Sequence, residues 1–202
     1  MTTTTIQTVL NAAERQDLLV FLNSIDGRTD SIASATDTFR DNIRQSTAAQ
    51  VRQANLTAAQ EPPPPFGPVV VTSPARGTLN LTISADRTQI DFILDISTAL
   101  VGTVTQGHIH IFPVGMNGPI VLDFCTNLAA PAGVPVPPPC PTAPFTLIGS
   151  FTAANLRPGA GALAGVNNFP DAVNHILSGD AYANVHTSTF PNGEIRGQIE
   201  MP

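Results

Sequence analysis

The run Ala181-Tyr-Ala-Asn-Val-His-Thr-Ser-Thr-Phe-Pro-Asn-Gly-Glu-Ile-Arg-Gly-Gln-Ile-Glu200 constrains the fold more tightly than any other part of the chain. Side chains alternate between faces along a strand. Ala181, Ala183 and Val185 therefore share one face, and Tyr182, Asn184 and His186 share the other. Pro191-Asn-Gly193 follows, and Asn-Gly supplies the positive φ that a tight hairpin turn needs. Beyond the turn Glu194 and Arg196 stand on one face, flanked by Ile195 and Gly197. The chain must hold an antiparallel hairpin here, with an apolar side that builds core and a polar side that does not.

The same period of two runs back to about Gln50. Leu79, Leu81 and Ile83 alternate with polar neighbours, and Ile90, Phe92, Leu94 and Ile96 alternate with Gln89, Asp91, Ile93 and Asp95. Asp86-Arg87 marks the turn between them. Further strands fit Val104–Phe112, Pro119–Phe124, Thr146–Phe151, Ala181–Thr187 and Glu194–Met201, and a short helix fits Pro170–Leu177 with Gly179 as its stop. Many short strands with turn signals between them predict an all-β domain over residues 50–202, an antiparallel Greek-key-like sandwich or barrel.

Residues 1–49 follow another period. Asn11 and Glu14 have the spacing of a capping box, and Leu18, Leu19, Phe21 and Leu22 then form an apolar face that Gly27 ends. In Asp30–Gln45 the apolar positions Ile32, Ala35, Phe39 and Ile43 step by three and four, which is helical spacing. The expectation is an N-terminal α-helical hairpin. Its stripes are too narrow for a core of their own, so Leu18, Phe21, Leu22, Phe39 and Ile43 are expected to pack on the β domain or on another copy.

Composition removes whole classes of function. The net charge is −6, and all nine basic residues are Arg, with no Lys. A nucleic-acid partner needs a basic face that is not visible here. No segment offers the roughly 18 to 20 apolar residues of a membrane-crossing helix. The opening Met1-Thr-Thr-Thr-Thr-Ile-Gln lacks the basic and apolar regions of a signal peptide, so the expectation is that the chain is not exported by that route or that these residues follow a removed segment. Cys125 and Cys140 bracket a Pro-rich stretch. A disulfide closing it would stabilise by roughly 3 kcal/mol in the entropic model and imply an oxidising setting; free buried thiols and bridges between chains are the alternatives.

Gly107-His-Ile-His110 places two imidazoles on one face of one strand, with Ile109 and Ile111 on the other. If the strand carrying His186 is its neighbour, three imidazoles converge, a set that suits Zn²⁺ or Cu²⁺. The competing reading is a hydrogen-bonded polar cluster that orders a strand end. His175 falls in the short helix and reads as structural. Glu194 and Arg196 read as an ion pair bracing the final strand, with Glu194 as a fourth ligand or Arg196 as a clasp for an acidic partner in the alternative.

Together, Gly107-His-Ile-His, Gly115-x-x-Gly-Pro-Ile-Val121, Gly179-Asp-Ala-Tyr-Ala-Asn-Val-His-Thr187 and Pro191-x-Gly-Glu-Ile-Arg-Gly-Gln198 resemble the CHRD domain, named for chordin. Leu56-Thr-Ala-Ala-Gln-Glu-Pro-Pro63 resembles its opening segment, so the resemblance covers about residues 50 to 202. The Cys125–Cys140 loop looks like an insertion between two of its strands. The resemblance implies an all-β domain and extracellular use, and no established activity. The expectation is a structural, non-enzymatic protein of the cell or spore surface that self-assembles into a homo-oligomer, filament or layer. The alternative is an envelope metal-binding module using His108, His110 and His186 with Cu or Zn. A copper redox enzyme is a lesser third reading, since it would need an open ligand position and a pocket.

Overall fold

The computed structural model describes residues 48–63, 70–130, 132–159 and 162–202. The expected helical hairpin of residues 1–49, with Leu18, Phe21, Leu22, Phe39 and Ile43, lies outside them apart from its last two positions. Eight strands form one sheet: β1 (Gln50–Thr57), β2 (Arg76–Ile83), β3 (Ile90–Ile96), β4 (Val104–Ile111), β5 (Ile120–Thr126), β6 (Phe145–Phe151), β7 (Ala181–Thr187) and β8 (Ile195–Gln198). Their order is β5-β4-β7-β8-β1-β2-β3-β6, and every pairing is antiparallel. The sheet curls into a nearly closed barrel. Its outer strands meet through Phe124 of β5 and Phe151 of β6, whose ring centroids are 5.5 Å apart. Just past β6, the Arg157 N–H donates to the Val121 carbonyl at 2.9 Å.

Period-two patterning accounts for β2 and β3. Leu79, Leu81, Ile83, Ile90, Phe92, Leu94 and Ile96 are buried, while their intervening neighbours face outward. The Asp86-Arg87 turn forms as expected, with Arg87 at φ 58°. The Ser84 hydroxyl and the Asp86 carboxylate both accept from the Thr88 N–H. The last hairpin also forms, with Gly193 at φ 126°. The last strand is shorter than expected, Ile195–Gln198; Glu200 then makes an isolated bridge with Gln53 of β1.

The helix α1 spans Phe169–Ser178. The Asn168 side chain caps it by accepting from the Asp171 N–H, and Gly179 closes it in the left-handed conformation at φ 86°. Phe169, Ala172, Val173 and Ile176 are buried, the i, i+3, i+4, i+7 stripe that seats a helix on a core. Cys125 and Cys140 form a disulfide within the chain. Asn127 ties down the same loop: its side-chain amide donates to the Val104 and Cys140 carbonyls, and its oxygen accepts from the Cys140 N–H.

The sequence misleads on one side of the sheet. Strand parity assigns Tyr182, Asn184, His186, Glu194 and Arg196 to a polar face, yet all of β7 and β8 is buried, as is Glu194. Loops cover that face. The 3-10 turn at Ala58–Gln60 and Glu61 lie over β7 and β8, where Gln60 accepts from the Gln198 N–H and Glu61 from Asn184. The connection from β4 to β5 covers Tyr182, which accepts from the Gly118 N–H at 3.0 Å. The result is a buried polar layer on the outside of β4, β7 and β8.

Candidate metal centre

β4 and β7 are neighbours, with His108 opposite Asn184, His110 opposite Tyr182 and Gln106 opposite His186. This register brings the three histidines together. One potential ligand nitrogen from each of His108, His110 and His186 lies within 4.8 Å of the others. The ring centroids of His108 and His186 are 4.8 Å apart, and those of His108 and His110 are 5.4 Å apart. All three side chains are buried, His108 completely.

Hydrogen bonds fix which nitrogens face the centre. His110 Nδ1 lies 2.9 Å from the Gly118 carbonyl and His186 Nδ1 lies 3.0 Å from the Pro191 carbonyl. A carbonyl only accepts, so each Nδ1 carries the hydrogen and each Nε2 keeps its lone pair. Those two Nε2 atoms, and both ring nitrogens of His108, are buried without a hydrogen-bond partner. Gly118 is required for the first contact, because a Cβ there would sit 2.1 Å from the Ile111 carbonyl oxygen.

Burial keeps the imidazoles neutral. It holds His110 down at about 3, against the opposing pull of the Gly118 hydrogen bond; the His186, Arg196 and Arg157 charges add to the fall. Burial likewise holds His108 far below the ordinary histidine range, helped by His186, His110 and Arg157. His186 is lowered by burial in spite of its bond to Pro191. Neutral imidazole is the ligand form.

Around the triad stands a shell of charged groups. Asp123 on β5 approaches His108 Nε2 to 3.8 Å, which is too long for a hydrogen bond. Arg157 grips both oxygens of Asp123, each at 2.6 Å, so the carboxylate is already neutralised. On the other side His110 stacks flat on Tyr182, with centroids 4.7 Å apart and planes 5° apart. The Arg196 guanidinium lies over the same tyrosine, 3.4 Å from its centroid, and donates to Asn117 at 3.3 Å.

Glu194 and Arg196 do not pair as expected. Glu194 accepts from the Ser73 hydroxyl at 2.7 Å, the Val101 N–H at 2.8 Å and the Thr187 hydroxyl at 2.8 Å. Arg196 instead faces Glu61, whose carboxyl burial pushes up to about 7 although Arg196 and the Asn184 hydrogen bond favour its ionised form. Both residues are fully buried and spent on holding loops to the strands, so neither joins the histidines as a ligand or lies open to a partner. His175 sits on α1 with its ring 4.0 Å from Asp180, away from the cluster.

Sequence reasoning missed Asp123, Arg157, Glu61 and Gly118. Asp123 and Arg157 are 34 positions apart, and neither belongs to a local motif. Tyr182 was within reach of the sequence, since it shares its strand face with His186.

Comparison with curated proteins and with solved structures finds no match. The family model of the CHRD domain matches residues 52–199, which takes in all eight strands except the first two residues of β1, together with all three histidines and both cysteines. Fold, closing hairpin and histidine strand thus agree with the sequence, and the chain belongs to the CHRD domain family.

Proposed function

We propose that this domain is a transition-metal-binding module with His108, His110 and His186 as ligands. One observation carries the reading: the ring nitrogens that converge are buried and unpartnered. A buried polar atom left without a partner costs about 1–3 kcal/mol, and an ion at the centre satisfies one nitrogen of each histidine at once. The alternative of a hydrogen-bonded polar cluster explains only the two Nδ1 atoms, whose carbonyl partners are outside the triad. Those carbonyls are the outer contacts that orient a metal-ligating histidine. The disulfide and the CHRD family fit an extracellular or surface setting. The self-assembly expectation involves both the arm and the β domain, and the arm lies outside the described residues.

The test is elemental analysis of protein purified without chelators, followed by titration with Cu²⁺ and Zn²⁺. The expected result is one ion per chain, lost on chelation and not regained by His108→Ala or His186→Ala. A folded protein that carries no metal and ignores both added ions refutes the reading.

A further inference from the structure

We infer that the ion this site prefers is monovalent copper, Cu(I), held by three imidazoles, the full convergent donor set among the described residues; this rests on the metal-binding reading above. The argument is one of charge. The cost of burying an ion grows as the square of its charge, so a dication costs about four times as much as a monocation in the same cavity. A buried dication is offset by anionic ligands, by nearby uncompensated anions, or by a water or hydroxide that completes an open site. The triad offers three neutral imidazoles and no anionic ligand.

The nearby acids are already committed. Asp123 gives both oxygens to Arg157. Glu61 gives both to the Asn184 amide and faces Arg196. Glu194 accepts from Ser73, Val101 and Thr187. On the His110 side a positive charge, the Arg196 guanidinium, stands across Tyr182.

Coordination number points the same way. Zn²⁺ takes four protein ligands in structural sites and completes a three-histidine set with a water in catalytic ones, and Cu²⁺ favours tetragonal surroundings, so either dication would need a ligand from outside the triad that Cu(I) does not. Among the described residues the convergent set contains three donors and stops. A filled d shell with a single positive charge is satisfied by three nitrogens in a plane. Imidazole is a borderline donor that suits copper and zinc alike, so ligand softness does not decide between them; charge and donor number do.

The test uses the full chain, loaded under anaerobic conditions with Cu(I) delivered as its acetonitrile complex. The expected result is one copper per chain, an X-ray absorption edge and shell of three nitrogens, and no Cu(II) paramagnetic resonance signal after hours in air. Zn²⁺ in excess should leave the copper in place. Rapid appearance of a stoichiometric tetragonal Cu(II) signal in air, or displacement by Zn²⁺, overturns the inference while leaving metal binding intact. Absence of stoichiometric binding by any of the three ions overturns the metal-binding reading as well. The readouts are made on the unmutated protein, so they hold even if His108→Ala fails to fold; His186→Asn, checked for folding by circular dichroism, should lose stoichiometric copper binding.

Discussion

The two halves of the sheet use the same strand geometry for different ends. In β2 and β3 every second residue is buried and the rest face outward. In β7 and β8 every residue is buried, and one whole face consists of His, Tyr, Asn, Arg and Gln. The first half is held by apolar burial at about 25 cal/mol per Å², which tolerates change on its open face. The second half places charged and polar groups where each must find a partner. Its stability depends on networks that fail when one member is removed.

The sharpest way to break that contrast is Glu194→Ala. It strips three donors of their shared acceptor in a fully buried site, and the expected loss is about 3 kcal/mol or more, read as a shift in the urea midpoint. A loss no greater than that of an open-face substitution would show that water replaces the carboxylate and that the layer is less closed than its burial implies. Asp123→Ala should cost nearly as much, about 3 kcal/mol, because it leaves Arg157 without its partner. Gly118→Ala should cost about 1–3 kcal/mol through its clash with Ile111. It should also weaken metal binding by about tenfold, because the carbonyl that orients His110 moves; unchanged affinity would remove that carbonyl from the site.

The pH dependence sharpens the comparison further. In metal-free protein the unfolded chain protonates its histidines below about 6.5, while the folded chain keeps them neutral. The unfolded state then holds more protons, so stability rises with pH through this range and is lost on acidification. Glu61 acts in the opposite sense between 4.5 and about 7, where the folded state holds the extra proton. Three histidines outweigh one carboxyl. The expected slope near pH 5 is on the order of 3 kcal/mol per pH unit, and Glu61→Gln should make it steeper. Urea midpoints between pH 5 and 8 measure both; a flat profile would mean the histidines are hydrated. At the small end, Asp91→Asn and Ile93→Thr on the open face should stay within about 0.5 kcal/mol of the parent.

Much of the fold was legible because alternation is a local signal. The turn at Asp86-Arg87, the helix ended by Gly179 and the hairpin at Pro191-Asn-Gly193 each needed only a few neighbouring residues. The histidine triad was legible in part: parity put His108 and His110 together, and only the pairing of β4 with β7 added His186. What the sequence hid was burial. A row of polar residues reads as a wet face unless the loops that cover it are known, and those loops come from Ala58–Glu61, Ser73, Val101 and Asn117–Gly118, far apart along the chain. The pairing expected for Glu194 and Arg196 failed for the same reason, since each found a partner contributed by one of those loops.

The bridge between Gln53 and Glu200 joins the first strand of the domain to its last residues, and the Gln53 N–H and Glu200 N–H each donate to the other's carbonyl at 2.9 Å. The domain is therefore almost a ring: its two ends lie side by side, and the chain order around it is a matter of where the ring is cut. Joining Pro202 to Ala48 with a short linker and opening the chain at Asp86-Arg87 should yield a circular permutant with the same eight-stranded sheet and the same three histidines. A domain of this kind can be carried as an insert within another protein without separating the segments that flank it.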